Sequence, residues 1–183
     1  MAKDRKIDMV ILGLLSHENL TGYDIKKHID GSIRFFWKGS FGSIYPALAS
    51  LEESGVIRKE QSDEKASGRE RIVYSITAGG RACLMEWLQE SRTVNDMKYE
   101  MLLKIFFGSA VDNNVSIATI DSFEKEITED LAMLRLYKAN LARVQNERDH
   151  VFFYLTVSFG VETYEAYLRW CAEAKKILVE KEN

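Results

Sequence analysis

At 183 residues, with 46% hydrophobic and 29% charged side chains, the chain has an ordinary globular make-up and enough length to bury a core, which excludes a disordered or fibrous protein. Its net charge of −3 is unevenly placed: residues 1–91 carry 13 Lys/Arg against 13 Asp/Glu, and residues 92–183 carry 12 against 15. A neutral first half leaves a nucleic-acid partner open, and two cysteines without metal spacing exclude a disulfide framework and fit a reduced, cytoplasmic setting.

Lys3, Arg5 and Lys6 precede the apolar stretch Met9–Leu15 with the outline of a secretory signal, but Asp4 and Asp8 interrupt it and no small-residue cleavage site follows. No segment approaches the roughly 20 apolar residues of a membrane span, so no membrane partner is expected. Ile7, Val10, Ile11, Leu14 and Leu15 instead recur at helical spacing and predict a first helix ending between Ser16 and Asn19. Thr21 is the expected cap of a second helix over Gly22–Asp30, with Tyr23, Ile25 and Ile29 as apolar positions and Gly31 as its stop.

A third helix is expected over Gly42–Ser54, from Ile44, Leu48 and Leu51, with Gly55 ending it. Pro46 belongs in a first turn, because proline lacks an amide proton and clashes one turn back. That makes Ser43 the expected cap; with Ser40 as cap the helix would bend at Pro46. Val56–Gln61 and Arg71–Ile76 then read as two strands, the second rich in β-branched and aromatic residues, joined by the polar loop SDEKASGRE. Thr77 caps a fourth helix with Leu84, Trp87 and Leu88 on one face.

The second half is read as helical throughout. Met97–Gly108 is densely apolar, and from Ile117 the positions Ile120, Phe123, Ile127, Leu131, Leu134, Tyr137, Leu141 and Val144 follow steps of three and four. That is a helix of about 40 Å at 1.5 Å per residue, patterned like a coiled-coil seam. A last helix over about Val151–Val179 carries Leu155, Phe159, Tyr164, Leu168, Cys171 and Leu178, and Gly160 within it suggests a close helix crossing.

Three helices followed by a β-hairpin is the element order of a winged helix-turn-helix, whose third helix enters the DNA major groove by its N-terminal residues while the hairpin loop reaches the neighbouring backbone. The expected fold class is therefore mainly α: a winged helix-turn-helix over residues 1–92, with three helices and a two-stranded β-hairpin wing, then an all-α dimerisation domain over residues 93–183. Ser40, Ser43 and Tyr45 bring hydroxyls to the recognition-helix start, and Lys38 stands where the helix dipole also favours phosphate. Lys65, Arg69 and Arg71 form a short basic prong around Ser67 and Gly68. So few phosphate contacts per domain call for two copies side by side.

The segments SIYPALASLEESGVI (Ser43–Ile57), SGRERIVYSIT (Ser67–Thr77) and GGRACLMEWL (Gly79–Leu88) resemble the PadR family of transcriptional regulators. LLKIFFG (Leu102–Gly108) and the run from Leu155 through Gly160 to Trp170 are similar to the long C-terminal domain of its larger subfamily. The resemblance implies a homodimer that represses transcription at a palindromic operator in double-stranded DNA, with Ser43, Tyr45 and Pro46 at the recognition-helix start and Gly68, Arg69 and Arg71 in the wing. Glu70 departs from the proline that many members carry after the wing Gly-Arg. A carboxylate there weakens phosphate attraction at Arg69 or pairs with Arg71.

A palindrome requires two-fold symmetry. Ile120, Ile127, Leu131, Leu134 and Leu141, with Leu155, Tyr164 and Leu168, are the candidate dimer interface, the competing reading being a bundle within one chain. Trp37, Phe152, Phe153, Tyr154, Tyr167 and Trp170 are candidates for lining a pocket for a small aromatic effector, against which stands ordinary core packing. The three histidines, His17, His28 and His150, lack metal or triad spacing, and no phosphate loop, HExxH or GxSxG occurs. Neither an enzyme nor a cofactor is expected. The alternative in another class is a winged helix used for protein–protein interaction without operator binding.

Overall fold

Apolar side chains three and four residues apart turn Arg5–His17 into helix α1, which buries Ile7, Ile11, Leu12 and Leu15 on one face. The computed structural model describes residues 5–37, 41–60, 72–91, 93 and 98–180. After α1 comes a two-residue strand β1, Leu20–Thr21, then helix α2, Gly22–His28. Thr21 caps α2 reciprocally: its Oγ1 accepts the Asp24 N–H at 3.1 Å, and Asp24 Oδ2 accepts the Thr21 N–H at 3.2 Å.

Gly31 does not stop this helix, contrary to the expectation from sequence. The chain runs on through a π-helical turn, Ile29–Ile33, in which the Arg34 N–H donates to Ile29 O at 2.9 Å. The one described glycine with left-handed backbone is Gly55, with φ 72°. It ends helix α3, Ile44–Glu53, as expected. Gly55 N–H donates to Glu52 O at 2.9 Å and Val56 N–H to Leu51 O at 3.1 Å, the two bonds of a Schellman stop.

A 3-10 turn, Phe41–Ser43, leads into α3. Ser43 is the residue that precedes α3, as expected of the cap, but its backbone is already helical, φ −90° and ψ −14°, and its side chain makes no capping bond. Pro46 is the third residue of α3, in the first turn as anticipated.

Strands β2, Ile57–Glu60, and β3, Val73–Ile76, pair antiparallel with Ile57 opposite Ile76. The two-stranded wing expected from sequence gains a third member. β1 pairs with β3, Leu20 opposite Tyr74, so the sheet order is β1-β3-β2. Thr77 then caps helix α4, Ala78–Gln89, accepting the Gly80 N–H at 3.1 Å. Leu84 and Cys83 pack against the core, whereas Trp87 and Leu88 are exposed, so the apolar face of α4 is narrower than its sequence suggests. Ile11, Leu12, Leu15, Ile25, Ile44, Leu48 and Ile57 make up the centre of this core.

The chain divides into two units, Met1–Asn95 and Asp96–Asn183. In the second, a short α5, Glu100–Phe106, and a 3-10 turn, Gly108–Ala110, precede two long helices, α6 Asn113–Leu141 and α7 Arg148–Glu180. At 1.5 Å per residue they run about 43 and 50 Å. Ile120, Ile127, Leu131 and Leu134 of α6 are buried, as are Val161, Tyr164 and Cys171 of α7. At Gly160 the two helices approach so closely that a Cβ would stand 3.3 Å from Leu134 Cδ1. Lys175 Nζ ties the far end, donating to Asp121 Oδ1 at 2.8 Å and Glu124 Oε2 at 2.6 Å. Among the described residues no helix is long and apolar enough to cross a membrane.

Candidate nucleic-acid interface

Helix α3 is fixed by its inner positions. Ile44, Ala47, Leu48 and Leu51, one turn apart in pairs, are buried in the core of the first unit. The same geometry turns Tyr45, Pro46 and Ala49 outward at the amino end. Tyr45 is 65% exposed, yet its ring is not loose: it rests against the backbone of Gly22 at the start of α2. On α2, Tyr23 is 69% exposed. Helical spacing groups Tyr23 with Ile25 and Ile29 as apolar positions, but only Ile25 and Ile29 fill the inner face. Sequence periodicity hid Tyr23, because an aromatic at helical spacing looks like core.

Of the other candidate DNA contacts, Ser43 is half-buried at the helix entrance and Pro46 is exposed. Lys38, Ser40, Lys65, Gly68, Arg69 and Arg71 lie outside the described residues.

Cations at the base of the hairpin are engaged by acids of the same unit. Arg58 Nε donates to Glu60 Oε1 at 2.7 Å and to Ser75 Oγ at 3.1 Å, and Ser75 Oγ donates to the same carboxylate at 2.6 Å. The Ser75 hydroxyl and then the Arg58 guanidinium hold Glu60 below the usual carboxylate range. Lys59 Nζ meets Glu52 Oε2 at 2.6 Å, and that hydrogen bond raises the lysine. Burial pushes the Tyr74 phenol up beside this pair. The strands therefore offer little uncompensated positive charge, and the exposed tyrosines at α2 and α3 are the distinctive feature of this face.

The candidate dimer residues fall into two groups. Ile120, Ile127, Leu131, Leu134 and Tyr164 are at most 8% exposed in the single chain, so their surface is spent on the α6–α7 seam. Their burial favours the bundle within one chain over a place at a second subunit. Leu141 and Leu168 are half-buried, and Leu155 is 57% exposed. The exposed apolar side chains of α7 that the seam leaves free include Phe152, Leu155 and Phe159, at steps of three and four.

Of the candidate effector residues, Trp37 belongs to the first unit and the others to the second. Trp37 packs on the core of the first unit. Phe152, Phe153 and Trp170 are exposed, and Tyr154 is half-buried with Lys138 Nζ 6.0 Å from its ring centroid. Tyr167 is in an aromatic cluster with Tyr99, Phe123 and Tyr164, its hydroxyl hydrogen-bonded to that of Tyr99, and burial pushes its phenol up. Phe123 also lines an open groove of about 690 Å³ between α5 and α6, with Met101, Lys104, Ser122 and Glu126. Among the described residues no three His, Cys, Asp or Glu side chains are grouped to hold a metal ion.

The profile of the transcriptional regulator PadR-like family matches residues 11–86, and that of Virulence activator alpha C-term matches residues 97–179. The negative transcriptional regulator PadR of Bacillus subtilis is 25% identical over 174 residues, 91% of this chain and 93% of that one. Among solved structures, the PadR-like transcriptional regulator BC1756 from Bacillus cereus superposes with a TM-score of 0.78 at 27% identity, covering 96% of this chain and 99% of the other. Bacillus subtilis PadR in complex with operator DNA gives 0.81 at 24% identity, with 95% and 99% coverage. The same protein in complex with p-coumaric acid gives 0.70 at 22% identity, with 94% and 98% coverage.

Proposed function

The chain belongs to the PadR-like family of transcriptional regulators, and from that premise we propose that it binds a palindromic operator as a cytoplasmic homodimer and represses transcription there. The amino end of α3 enters the major groove, with Ser43, Tyr45 and Pro46 nearest the bases and Lys38 and Ser40 leading in. Tyr23, exposed on α2, is proposed as a further contact. Lys65, Gly68, Arg69 and Arg71 form the wing that reaches the adjacent backbone.

One observation carries the reading. A tyrosine 65% exposed sits at the first turn of a helix whose opposite face is locked into the core. Such a ring costs apolar exposure in the free protein, and a base edge or phosphate is the partner its hydroxyl suits. A mobility-shift assay on duplexes selected from a randomised pool, with a salt titration, tests it. Specific binding is expected to weaken steeply as salt rises and to be weaker in Tyr45→Ala than in the wild type; a folded dimer that selects no sequence at low salt would sink operator binding.

The second copy is proposed to pack on exposed apolar positions of the helical unit, with Phe152, Leu155 and Phe159 of α7 contributing. A small aromatic effector is proposed to release the DNA. Its support is the aromatic cluster of Tyr99, Phe123 and Tyr167, which reaches the groove beside Met101 through Phe123. p-Coumaric acid, which the Bacillus subtilis relative is described with, is the first probe; a mobility shift it leaves unchanged, with no thermal shift of the protein, argues against that effector.

A further inference from the structure

We propose that Gly22 is a positioning residue for operator recognition: its bare backbone at the start of α2 is the surface against which the Tyr45 ring is set. This rests on the reading that Tyr45 touches DNA. Gly22 is buried, and it is the first residue of a helix whose cap, Thr21, is fully engaged with Asp24. A Cβ at position 22 would stand 2.9 Å from Tyr45 Cε1, 3.4 Å from Cζ and 3.3 Å from Leu48 Cδ1. Approaches under about 3 Å force a neighbour to move. Leu48 is 1% exposed and held by the core, so its room to give is small. Tyr45 is 65% exposed and free on its outer side, so its ring is the group that yields.

The glycine is not required by its backbone, because Gly55 is the described glycine with positive φ and Gly22 is not. Helix propensity alone favours alanine there. What position 22 provides is space. The atoms it borders, Cε1 and Cζ, are those that fix the phenolic oxygen, so the site of the missing methyl sets where that hydroxyl is presented. Even a methyl at 22 requires the ring to give way by about half an ångström, and the hydroxyl it carries moves with it.

A thermodynamic cycle on the full-length protein separates this role from a general structural one. Wild type, Gly22→Ala, Tyr45→Ala and the double variant are measured by fluorescence anisotropy on one duplex that the wild type selects from a randomised pool. Gly22→Ala is expected to weaken binding about tenfold, the scale of one well-placed hydrogen bond to a base edge. Its salt dependence stays that of the wild type, since no cation is removed. In the Tyr45→Ala background the same substitution changes nothing, because the ring it acts through is gone. Should Gly22→Ala melt early, the double variant is expected to recover its melting temperature.

Wild-type binding by Gly22→Ala overturns the proposal, as does an equal loss with and without Tyr45, or no recovery of melting in the double variant. Wild-type binding by Tyr45→Ala overturns the underlying reading instead, and is seen separately in the single variant.

Discussion

Alanine at Gly80 tests the joint between the sheet and α4. A Cβ there would lie 2.1 Å from Val56 O, 2.8 Å from Ile76 Cγ1 and 3.1 Å from Val56 C. The carbonyl cannot simply retreat, because it accepts the Thr77 N–H at 3.1 Å and the Thr77 hydroxyl at 3.0 Å. Backing α4 away breaks or lengthens both bonds, at about 1 kcal/mol each. Overpacking strain adds about 1–3 kcal/mol, and the better helix propensity of alanine returns about 1 kcal/mol. The net cost is about 2–4 kcal/mol, which lowers the melting temperature of a domain of this size by about 10–20 °C. Gly31→Ala is the control, since nothing lies within 4 Å of its Cβ position. It is expected to be neutral or stabilising by up to about 1 kcal/mol. Thermal unfolding followed by circular dichroism reads both. If Gly80→Ala melts within about 3 °C of wild type, the packing argument fails.

Ile120→Ala, at a position with no exposure, is expected to cost about 2–5 kcal/mol in denaturant titration while the folded protein still sediments as a dimer. Phe159→Glu, at a position 70% exposed, is expected to do the converse: full monomer stability and lost association in sedimentation velocity. Glu165 is held below the usual carboxylate range by the hydrogen bond from Arg135 at 2.7 Å. A depressed carboxylate contributes stability that is full above its ordinary value near about 4.3 and is lost as pH falls through the lower folded value. The melting temperatures of wild type and Glu165→Gln are therefore expected to differ at neutral pH and to converge in acid; a gap that stays constant contradicts the pairing.

Much of this fold is legible in local chemistry. Thr21 and Thr77 announce helix starts, Gly55 announces a stop, and Pro46 places the first turn of α3, because each feature is decided within a few residues. What escaped is decided at a distance. β1 is too short to show an alternation, and its partner Tyr74 is far along the chain, so nothing local marks Leu20 and Thr21 as a strand. Gly31 looked like a stop because a π-helical turn has no residue signature of its own. Ser43 stands at the cap position of α3 without a capping bond, because the 3-10 turn that includes it has no signature in the sequence. The stripe from Ile120 to Leu134 has the same spacing whether it meets α7 of its own chain or a second subunit, and only its burial within the single chain favours the former. At the DNA face, Tyr45 was legible from its place beside Pro46, while Tyr23 and the role of Gly22 depend on how α2 crosses α3.

Hydroxyl-radical footprinting of the full-length protein on a duplex it selects from a randomised pool bears on recognition and symmetry together. Operator binding by a two-fold dimer through α3 predicts two matched protected segments related by a dyad, with centres about 34 Å apart or a multiple of that, and weaker protection of both in Tyr45→Ala. A single unsymmetrical segment, or protection that Tyr45→Ala retains in full, would contradict it.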